Sequence, residues 1–469
     1  MIRQKVGQNP LRVVLPRPFA NIRQLARARP PSLFNCYFSS APIRPKRPKP
    51  YSWLILLGLS GFLGLTAFKY YTRHNFPPPV AAKLRKGLRA EREVSEGKGN
   101  EKDYTLALQY YLEALQEADE IGMDSLSDEY TGLQIKIAEM YEKLGMDEEA
   151  RLLYREIGTF YIQALASGNV APSIRPHLIQ RDLRIALKTA MHESSINPNV
   201  AKMGLLVHFL MAQKEIASRD EELAKIINGE KTRTSIDLKL IADPDSPLMK
   251  KHAESWEPFR DELFSSRDMF VALCLATGDI GLALQTKLAT TEWMTLAGCD
   301  IGDILMSFYN VGSIFYLQSE ELELQEMHYQ KEKDDKKSAE TKQLAKDSIV
   351  NSSACFDVIL NVVEKLPGQV RREASVTEVH ALSTYGLGVI ALHKGEYNQA
   401  SDLLREARLR AKGCGFHDLV TSAELELEKL DKIERELAAG AQDVKYDAPS
   451  MDVLLLKGEK EDSSKKHPL

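Results

Sequence analysis

Beyond residue 80, apolar residues recur every three or four positions along most of the chain, with polar residues between them. This spacing is typical of amphipathic helices. The same part of the sequence lacks the short runs of alternating Val, Ile and Thr, bounded by turn residues, that strands would need. The pattern predicts an all-α body over residues 81–438.

A different pattern precedes this body, because residues 51–68 (YSWLILLGLSGFLGLTAF) contain no charged side chain. As a helix, the apolar run would be about 28 Å long, close to the roughly 30 Å of a bilayer core. Tyr51 and Trp53 stand near one end and Tyr70 near the other, where interfacial aromatic residues are expected. A core helix of a soluble domain would be shorter or show a polar face. We therefore expect one transmembrane helix at residues 51–71.

Small residues form a stripe along this expected span. Gly58, Gly61 and Gly64 recur every three residues, and Ser60 forms a small-xxx-small pair with Gly64. Such a stripe lets a partner helix approach closely. Glycine is also common in membrane helices without a packing role, so both interpretations stay open.

The first fifty residues hold eleven Lys or Arg and no Asp or Glu. That composition is typical of a mitochondrial transit peptide. In FANIRQLARAR, Ile22 and Leu25 fall on one helical face while Arg23 and Arg27 fall on the other. A disordered basic tail is the alternative for this leader.

Charge is divided unevenly along the chain. Residues 1–90 carry 17 basic side chains and no acidic one, so the remainder holds 45 basic and 66 acidic residues, a net charge of −21. A basic leader before an acidic body suggests a targeting sequence followed by the domain that it targets. Nucleic acid is not expected as a partner, because phosphate binding needs clustered Lys and Arg.

Residues 72–80, with NFPPPV, are expected to form a Pro-rich spacer, and residues 439–469 a disordered tail.

One segment of the body carries a repeat signature. IAEMYEKLGMDEEARLLYREIG, residues 137–158, contains Tyr141, Gly145, Ala150 and Tyr154. This segment resembles the tetratricopeptide-repeat (TPR) family. The resemblance implies two antiparallel helices with Gly145 at the turn, Ala150 where the helices cross, and the two tyrosines filling the groove between them.

Other segments resemble the same repeat, and the key Ala positions lie further apart than the family's period of about 34 residues. A long helix pair is expected near residues 303–330 and 337–366, around Gly312 and Ala354, and a capping helix at residues 416–438. The fold class expected is therefore all-α, a degenerate TPR-like α-solenoid of antiparallel helix pairs behind a single N-terminal transmembrane helix. The signature residues outside the first segment are Ala107, Tyr111, Ala114, Gly278, Ala283, Leu387, Gly388, Gly395, Ala400 and Ala407.

Motifs for catalysis are absent from the sequence. The ten histidines form no HExxH, and no GxSxG or phosphate-binding loop occurs. None of the five cysteines forms a CxxC pair, which favours buried structural thiols. We expect no catalytic residue, cofactor, metal or small-molecule substrate.

A helical repeat array offers a concave groove for a peptide or a helix. In TPR co-chaperones a clamp of Lys, Asn and Arg holds a terminal carboxylate. Here the corresponding positions are Ile135 and Glu139, so this clamp is not expected.

The order of leader, span and repeat body resembles the TPR-containing adaptor subunits of the fungal mitochondrial inner-membrane i-AAA protease supercomplex. That resemblance implies a non-enzymatic adaptor that binds unfolded or misassembled proteins and presents them to the protease. Its expected partners are the i-AAA protease, the membrane adaptor subunits of that protease, client proteins and the inner membrane. The N-terminus would lie in the matrix and the repeat body in the intermembrane space.

Two other functions stay open at this point. The same anchor and array would suit a scaffold or assembly factor for a respiratory-chain complex. An outer-membrane import receptor is less favoured, because such receptors usually carry a short signal anchor rather than fifty acid-free residues before the span.

Overall fold

A computed structural model describes residues 76–92, 103–229 and 252–438. Within these ranges the regular elements are helices, and a 3₁₀ helix, Val370–Arg372, precedes α13. The α-helices, in chain order, are α1 (Pro78–Arg92), α2 (Tyr104–Ile121), α3 (Asp128–Lys143), α4 (Asp147–Ser167), α5 (Arg175–Ser194), α6 (Pro198–Arg219), α7 (Glu221–Ile227), α8 (Ala253–Trp256), α9 (Arg260–Ala276), α10 (Ile280–Leu296), α11 (Ile301–Glu332), α12 (Asp335–Lys365), α13 (Ala374–His393), α14 (Tyr397–Cys414) and α15 (His417–Ala438).

The expected leader, transmembrane helix and tail lie outside the described residues, as do Gly58, Ser60, Gly61 and Gly64. Among the helices that are described, none combines the length and the apolar character needed to cross a membrane. One boundary differs from the sequence expectation. Helix α1 begins at Pro78, inside the expected spacer, and Val80 in its first turn is buried. Proline is tolerated there because the first amides of a helix have no intrahelical acceptor.

Short polar side chains and glycines set the helix ends. The Asp103 carboxylate accepts a hydrogen bond from the Leu106 amide at 2.9 Å, and Ser127 Oγ accepts one from Tyr130 at 3.2 Å. These caps satisfy amides at the starts of α2 and α3 that have no intrahelical partner. Gly122 follows α2 with φ of 74°, a left-handed conformation that costs glycine little.

The described residues fall into two compact units, a first one up to Ile157 and a second one from Gly158 onward. In the first unit, the Tyr111 ring of α2 lies over Gly87 of α1, where an added Cβ would come within 2.5 Å of the ring. Glu91 of α1 accepts hydrogen bonds from Tyr111 Oη at 2.9 Å, Lys136 Nζ at 3.2 Å and Lys143 Nζ at 2.5 Å. This one carboxylate therefore ties α1 to α2 and α3. Burial raises its pKa, but these three hydrogen bonds outweigh burial and hold the pKa at about 2.

In the second unit, α11 and α12 run antiparallel. Glu326 pairs with Lys342 at 3.5 Å near the tip of the α11–α12 hairpin. Further along, the carbonyl oxygen of Gly312 accepts a hydrogen bond from Ser352 Oγ at 2.8 Å. Contacts that move back along α11 thus move forward along α12, as an antiparallel pair requires.

A fully buried ring holds α11, α12 and α13 together. Phe356 of α12 lies between Gly312 of α11 and Gly386 of α13, where added Cβ atoms would stand 2.7 and 2.6 Å from ring carbons. The long helix pair expected around Gly312 and Ala354 is present as α11 and α12, but Ala354 itself is exposed, and Cys355 and Phe356 face the glycine. Two helical positions correspond to about 200° of rotation, which moves a side chain to the opposite face.

Aromatic residues fill the core around α8 to α10. Trp256 stacks on Phe264 with ring centroids 5.6 Å apart and lies 6.1 Å from Trp293. The guanidinium of Arg267 lies 4.0 Å from the Trp293 ring centroid and donates to Thr290 Oγ1 at 2.8 Å. Burial lowers the pKa of Arg267 to about 9, so the side chain is a buried cation at neutral pH.

The Phe356 contact predicts the effect of one added methyl group. Gly312→Ala should lower the free energy of unfolding by about 1–3 kcal/mol, because Gly386 blocks the ring from moving away. Gly204→Ala is the matched control, since its Cβ would meet nothing within 4 Å on an exposed helix face. That change should stabilise the protein by about 0.5–1 kcal/mol. Urea unfolding of the full chain in mild detergent, followed by circular dichroism, measures the free energy of unfolding of both variants. Equal changes in the two variants would contradict the tight contact of Phe356 with Gly312 and Gly386.

The Glu91 cluster predicts a pH-dependent stability. The folded pKa lies below the ordinary value of 4.5, so the stabilisation is complete above pH 4.5 and disappears as pH falls through about 2. Glu91→Gln should cost roughly 2 kcal/mol at pH 7 and almost nothing near pH 2. Urea unfolding at both pH values measures the difference. The exposed Glu148, paired with Arg151, is the control, and Glu148→Gln should change stability by less than about 0.5 kcal/mol.

Candidate protein-binding surface

The signature residues of the first unit lie at helix contacts and turns. Ile135 and Glu139 of α3, at the expected clamp positions, are half-buried, and Glu139 pairs with Lys136 at 3.0 Å. The buried signature residues are Ala107, Tyr111, Ala114, Ala150 and Tyr154; Tyr141 is half-buried, and Gly145 has φ of 72° in the α3–α4 turn.

The signature residues of the second unit also lie at helix contacts and turns. An added Cβ on Gly388 would lie 2.9 Å from Leu404 across the α13–α14 contact, so a side chain there would push the helices apart. The buried ones are Ala283, Gly388, Ala400 and Ala407; Leu387 is half-buried, and Gly278 and Gly395 are exposed turn residues with φ of 78° and 77°. In both units these residues serve packing and turns.

The described thiols are placed as structural side chains. Cys274 and Cys355 are buried, and Cys299 is half-buried. Burial raises their pKa values to about 11, 12 and 12 respectively, so all three stay protonated at neutral pH. No group of His, Cys, Asp and Glu in the described ranges is arranged to hold a metal ion. Cys36 lies outside those ranges.

Two histidines join helices through polar contacts. His208 of α6 lies with Nδ1 2.8 Å from the buried Asp182 carboxylate of α5. Burial raises the pKa of Asp182, and the His208 hydrogen bond opposes that rise. His393 of α13 contacts Glu323 at 2.9 Å and Tyr316 Oη at 3.2 Å, both on α11. Sequence reasoning missed these pairs, because the partners are far apart along the chain and only the helix pairing brings them together.

Helix α6 presents apolar side chains to solvent as well as to the core. Its buried face includes Ala201, Leu205, Phe209, Ala212 and Ile216. The outer set lies one after another at steps of three, four and three residues, and each residue is 48–58 % exposed: Val200, Met203, Val207 and Leu210. We call these four residues the α6 outer face. A helix with apolar residues on two sides is the sequence signal that would have revealed it.

Between Val200 and Leu210 the α6 outer face carries no charge, and the exposed Lys214 lies one helical turn beyond Leu210. Lys202 points inward, where its ammonium pairs with Asp279 and donates to Thr277 Oγ1 at 2.9 Å. The ring of His208 is likewise engaged with Asp182. The segment 203–213 (MGLLVHFLMAQ) has no Lys, Arg, Asp or Glu, in a chain of which 27 % is charged. An exposed uncharged apolar patch of this kind is a common mark of an interaction site.

Comparison with known proteins places this surface within a matched domain. Residues 167–299 match the family model of the MGR3 middle domain, a range that includes all of α6. A circular tandem repeat protein of known structure covers 83 % of this chain and 94 % of its own, at 15 % identity. Its TM-score of 0.21 is too low to inform the fold.

Two proteins of Saccharomyces cerevisiae are related over most of their length. One, described as mitochondrial inner membrane i-AAA protease supercomplex subunit MGR3, is 34 % identical over 87 % of this chain and 92 % of its own. The other, described as protein MRG3-like, is 31 % identical over 82 % of this chain and 89 % of its own. With such identity across nearly the whole of both relatives, and with the middle-domain match, the chain belongs to the MGR3 family.

Proposed function

We propose that this chain is a non-catalytic adaptor subunit of the mitochondrial i-AAA protease supercomplex, which binds unfolded or misassembled proteins and presents them to the protease. The observation that carries the proposal is the 34 % identity to the yeast supercomplex subunit over 92 % of that protein's length. Tethering a client beside the protease would raise its effective concentration there without any chemistry by the adaptor.

The described helices support a binding role. The antiparallel pairs α11–α12 and α13–α14, and the glycine turns at Gly145 and Gly395, suit a TPR-like α-solenoid. In this proposal helix α15 serves as the capping helix that an open-ended stack needs. The protonated thiols and the histidines engaged between helices support a role without catalysis.

The proposed location is the mitochondrial inner membrane. A relative whose name places it in that membrane supports this, together with the acid-free leader and the uncharged run at residues 51–68. In this proposal the leader enters the matrix, the span stops in the membrane, and the helical body faces the intermembrane space. The Gly58, Gly61 and Gly64 stripe would then contact a membrane helix of the supercomplex.

Affinity purification tests the adaptor role. The tagged full chain, recovered in mild detergent from mitochondria of cells that naturally express it, should bring down an AAA protease. Gly61→Leu should reduce that recovery several-fold while leaving membrane insertion intact, since bulk would hold the partner helix away. Thr66→Leu, on the opposite face of the helix, is the matched control. Recovery of respiratory-chain subunits without the protease would instead favour the scaffold or assembly-factor role.

Protease protection tests the proposed topology. The helical body should resist added protease in intact mitochondria and be digested once the outer membrane is opened by osmotic swelling. A known matrix protein, protected under both conditions, is the control. Digestion of the body in intact organelles would place it in the cytosol and contradict the proposal.

A further inference from the structure

We propose that the exposed basic face of α1 docks on a membrane surface that carries anionic phospholipid headgroups. The inference rests on the proposed function in one respect, that residues 51–71 anchor the chain in a membrane. Its basis in this chain is the arrangement of basic side chains on α1, the engagement of the neighbouring carboxylates, and the short stretch of chain between α1 and the expected span.

The two sides of α1 differ in character. The inner side buries Val80 and Gly87, the latter beneath the Tyr111 ring of α2. The outer side exposes four basic side chains: Arg85, Lys86, Arg89 and Arg92. We call these four residues the α1 basic face. With 3.6 residues per turn they occupy an arc of about 120° and extend about 10 Å along the helix axis.

The carboxylates nearest to α1 are engaged with other side chains. Glu91 accepts hydrogen bonds from α2 and α3, and Glu113 of α2 pairs with Lys83 at 2.5 Å. Lys86 lies with its ammonium 5.7 Å from the centroid of the Tyr110 ring. Among the described residues, no carboxylate forms an ion pair with the α1 basic face. Within those ranges the face therefore presents its positive charge to solvent.

The sequence around α1 keeps the same sign of charge. Residues 69–96 contain seven basic and three acidic residues, a net charge of +4. The acids are Glu91 and, beyond the described end of α1, Glu93 and Glu96. By contrast, residues 91–469 carry a net charge of −21. The basic stretch next to the expected span is thus a local exception in an acidic body, and an anionic membrane would attract this stretch while repelling the body as a whole.

The α1 basic face lies within reach of the membrane. Residues 72–77 join the expected span to α1, and six residues extend at most about 20 Å. Attraction between basic side chains and an anionic leaflet falls off over about 8 Å at physiological salt, so closeness of this kind is necessary. Basic clusters beside a membrane span are a known mark of binding to anionic lipids.

The shape and chemistry of the face suit headgroups. Its side chains follow the helix axis, so a helix lying parallel to a bilayer brings all four to the surface together. Three of the four are arginines, whose guanidinium groups donate paired hydrogen bonds to phosphate oxygens. The same side of α1 exposes Pro78, Pro79 and Ala82 and no large apolar side chain. Contact with headgroups rather than insertion among acyl chains is therefore expected.

The test uses the full chain in lipid nanodiscs, with a fluorescent amino acid in place of the exposed Ala82. One set of discs contains phosphatidylcholine alone and the other contains about 30 % phosphatidylglycerol, an anionic lipid. Both contain a lipid with a quenching spin label on its headgroup. We expect at least about threefold stronger quenching in the anionic discs, and loss of this difference in about 1 M salt, where screening acts over about 3 Å.

Neutralising the face is the decisive change. The α1 variant carries three substitutions: Arg85→Gln, Lys86→Gln and Arg89→Gln. The matched control alters the net charge equally at exposed positions of the α11–α12 hairpin: Lys331→Gln, Lys336→Gln and Lys346→Gln. The α1 variant should reduce quenching in anionic discs to the level in neutral discs, while the control should change it less than about 1.5-fold. Circular dichroism confirms that both variants remain folded.

The outcomes separate this inference from the adaptor role. Equal quenching in the two kinds of disc would overturn the docking, while recovery of the protease on the tagged chain would still support the adaptor. An equal loss of quenching in the control variant would assign the effect to net charge and overturn the role of the face. Failure of the chain to co-elute with the discs would overturn the anchor and the docking together.

An acidic protein is the alternative occupant of the face. A labelled polyglutamate peptide, added to the full chain in neutral discs, tests it by fluorescence anisotropy. Peptide binding that the α1 variant abolishes, combined with equal quenching in the two kinds of disc, would assign the face to an acidic protein and overturn lipid docking. Stronger quenching in anionic discs without peptide binding would support the lipid surface.

Discussion

An α-helix satisfies most of its own amides and carbonyls internally, so helices contact one another mainly through their side chains. Their order in the described parts of this chain therefore depends on side chains that fit at very short range. The Phe356 ring, held between Gly312 and Gly386, is the clearest case. The three helices fit because α11 and α13 each have a glycine where α12 inserts Phe356. A methyl group at either glycine would push the helices apart.

The first unit meets the same requirement with charge as well as with shape. Tyr111 lies over Gly87, and its hydroxyl reaches Glu91, which also receives two lysines from α3. Such a node sets the rotation of α1 about its axis as well as its distance from its neighbours. In the second unit Arg267 acts in a similar way on α10, through the Trp293 ring and the Thr290 hydroxyl. Buried polar contacts of this kind help to select one arrangement among the many that apolar packing alone would permit.

Much of this architecture could be predicted from the sequence. Glycines at 145 and 395 marked helix turns, since the left-handed backbone that ends a helix favours glycine, and Gly388 marked the close contact between α13 and α14. The register between paired helices was harder to predict from the sequence. The α11–α12 pair was expected around Gly312 and Ala354, yet Ala354 itself is exposed, because a shift of one or two positions moves a helical residue to another face and composition does not record such a shift. The α6 outer face was missed because its residues were interpreted as part of a repeat, and exposure is known only once the neighbouring helices are placed.

The buried cysteines carry one more consequence. Cys274 of α9 and Cys355 of α12 are protonated and shielded in the folded chain, so an alkylating reagent can reach them only when the surrounding helices separate. The rate at which each thiol is modified then reports how often the helices around that thiol separate. Two natural reporters, one in the middle domain and one beside the Phe356 contact, would reveal whether these regions open together or one before the other.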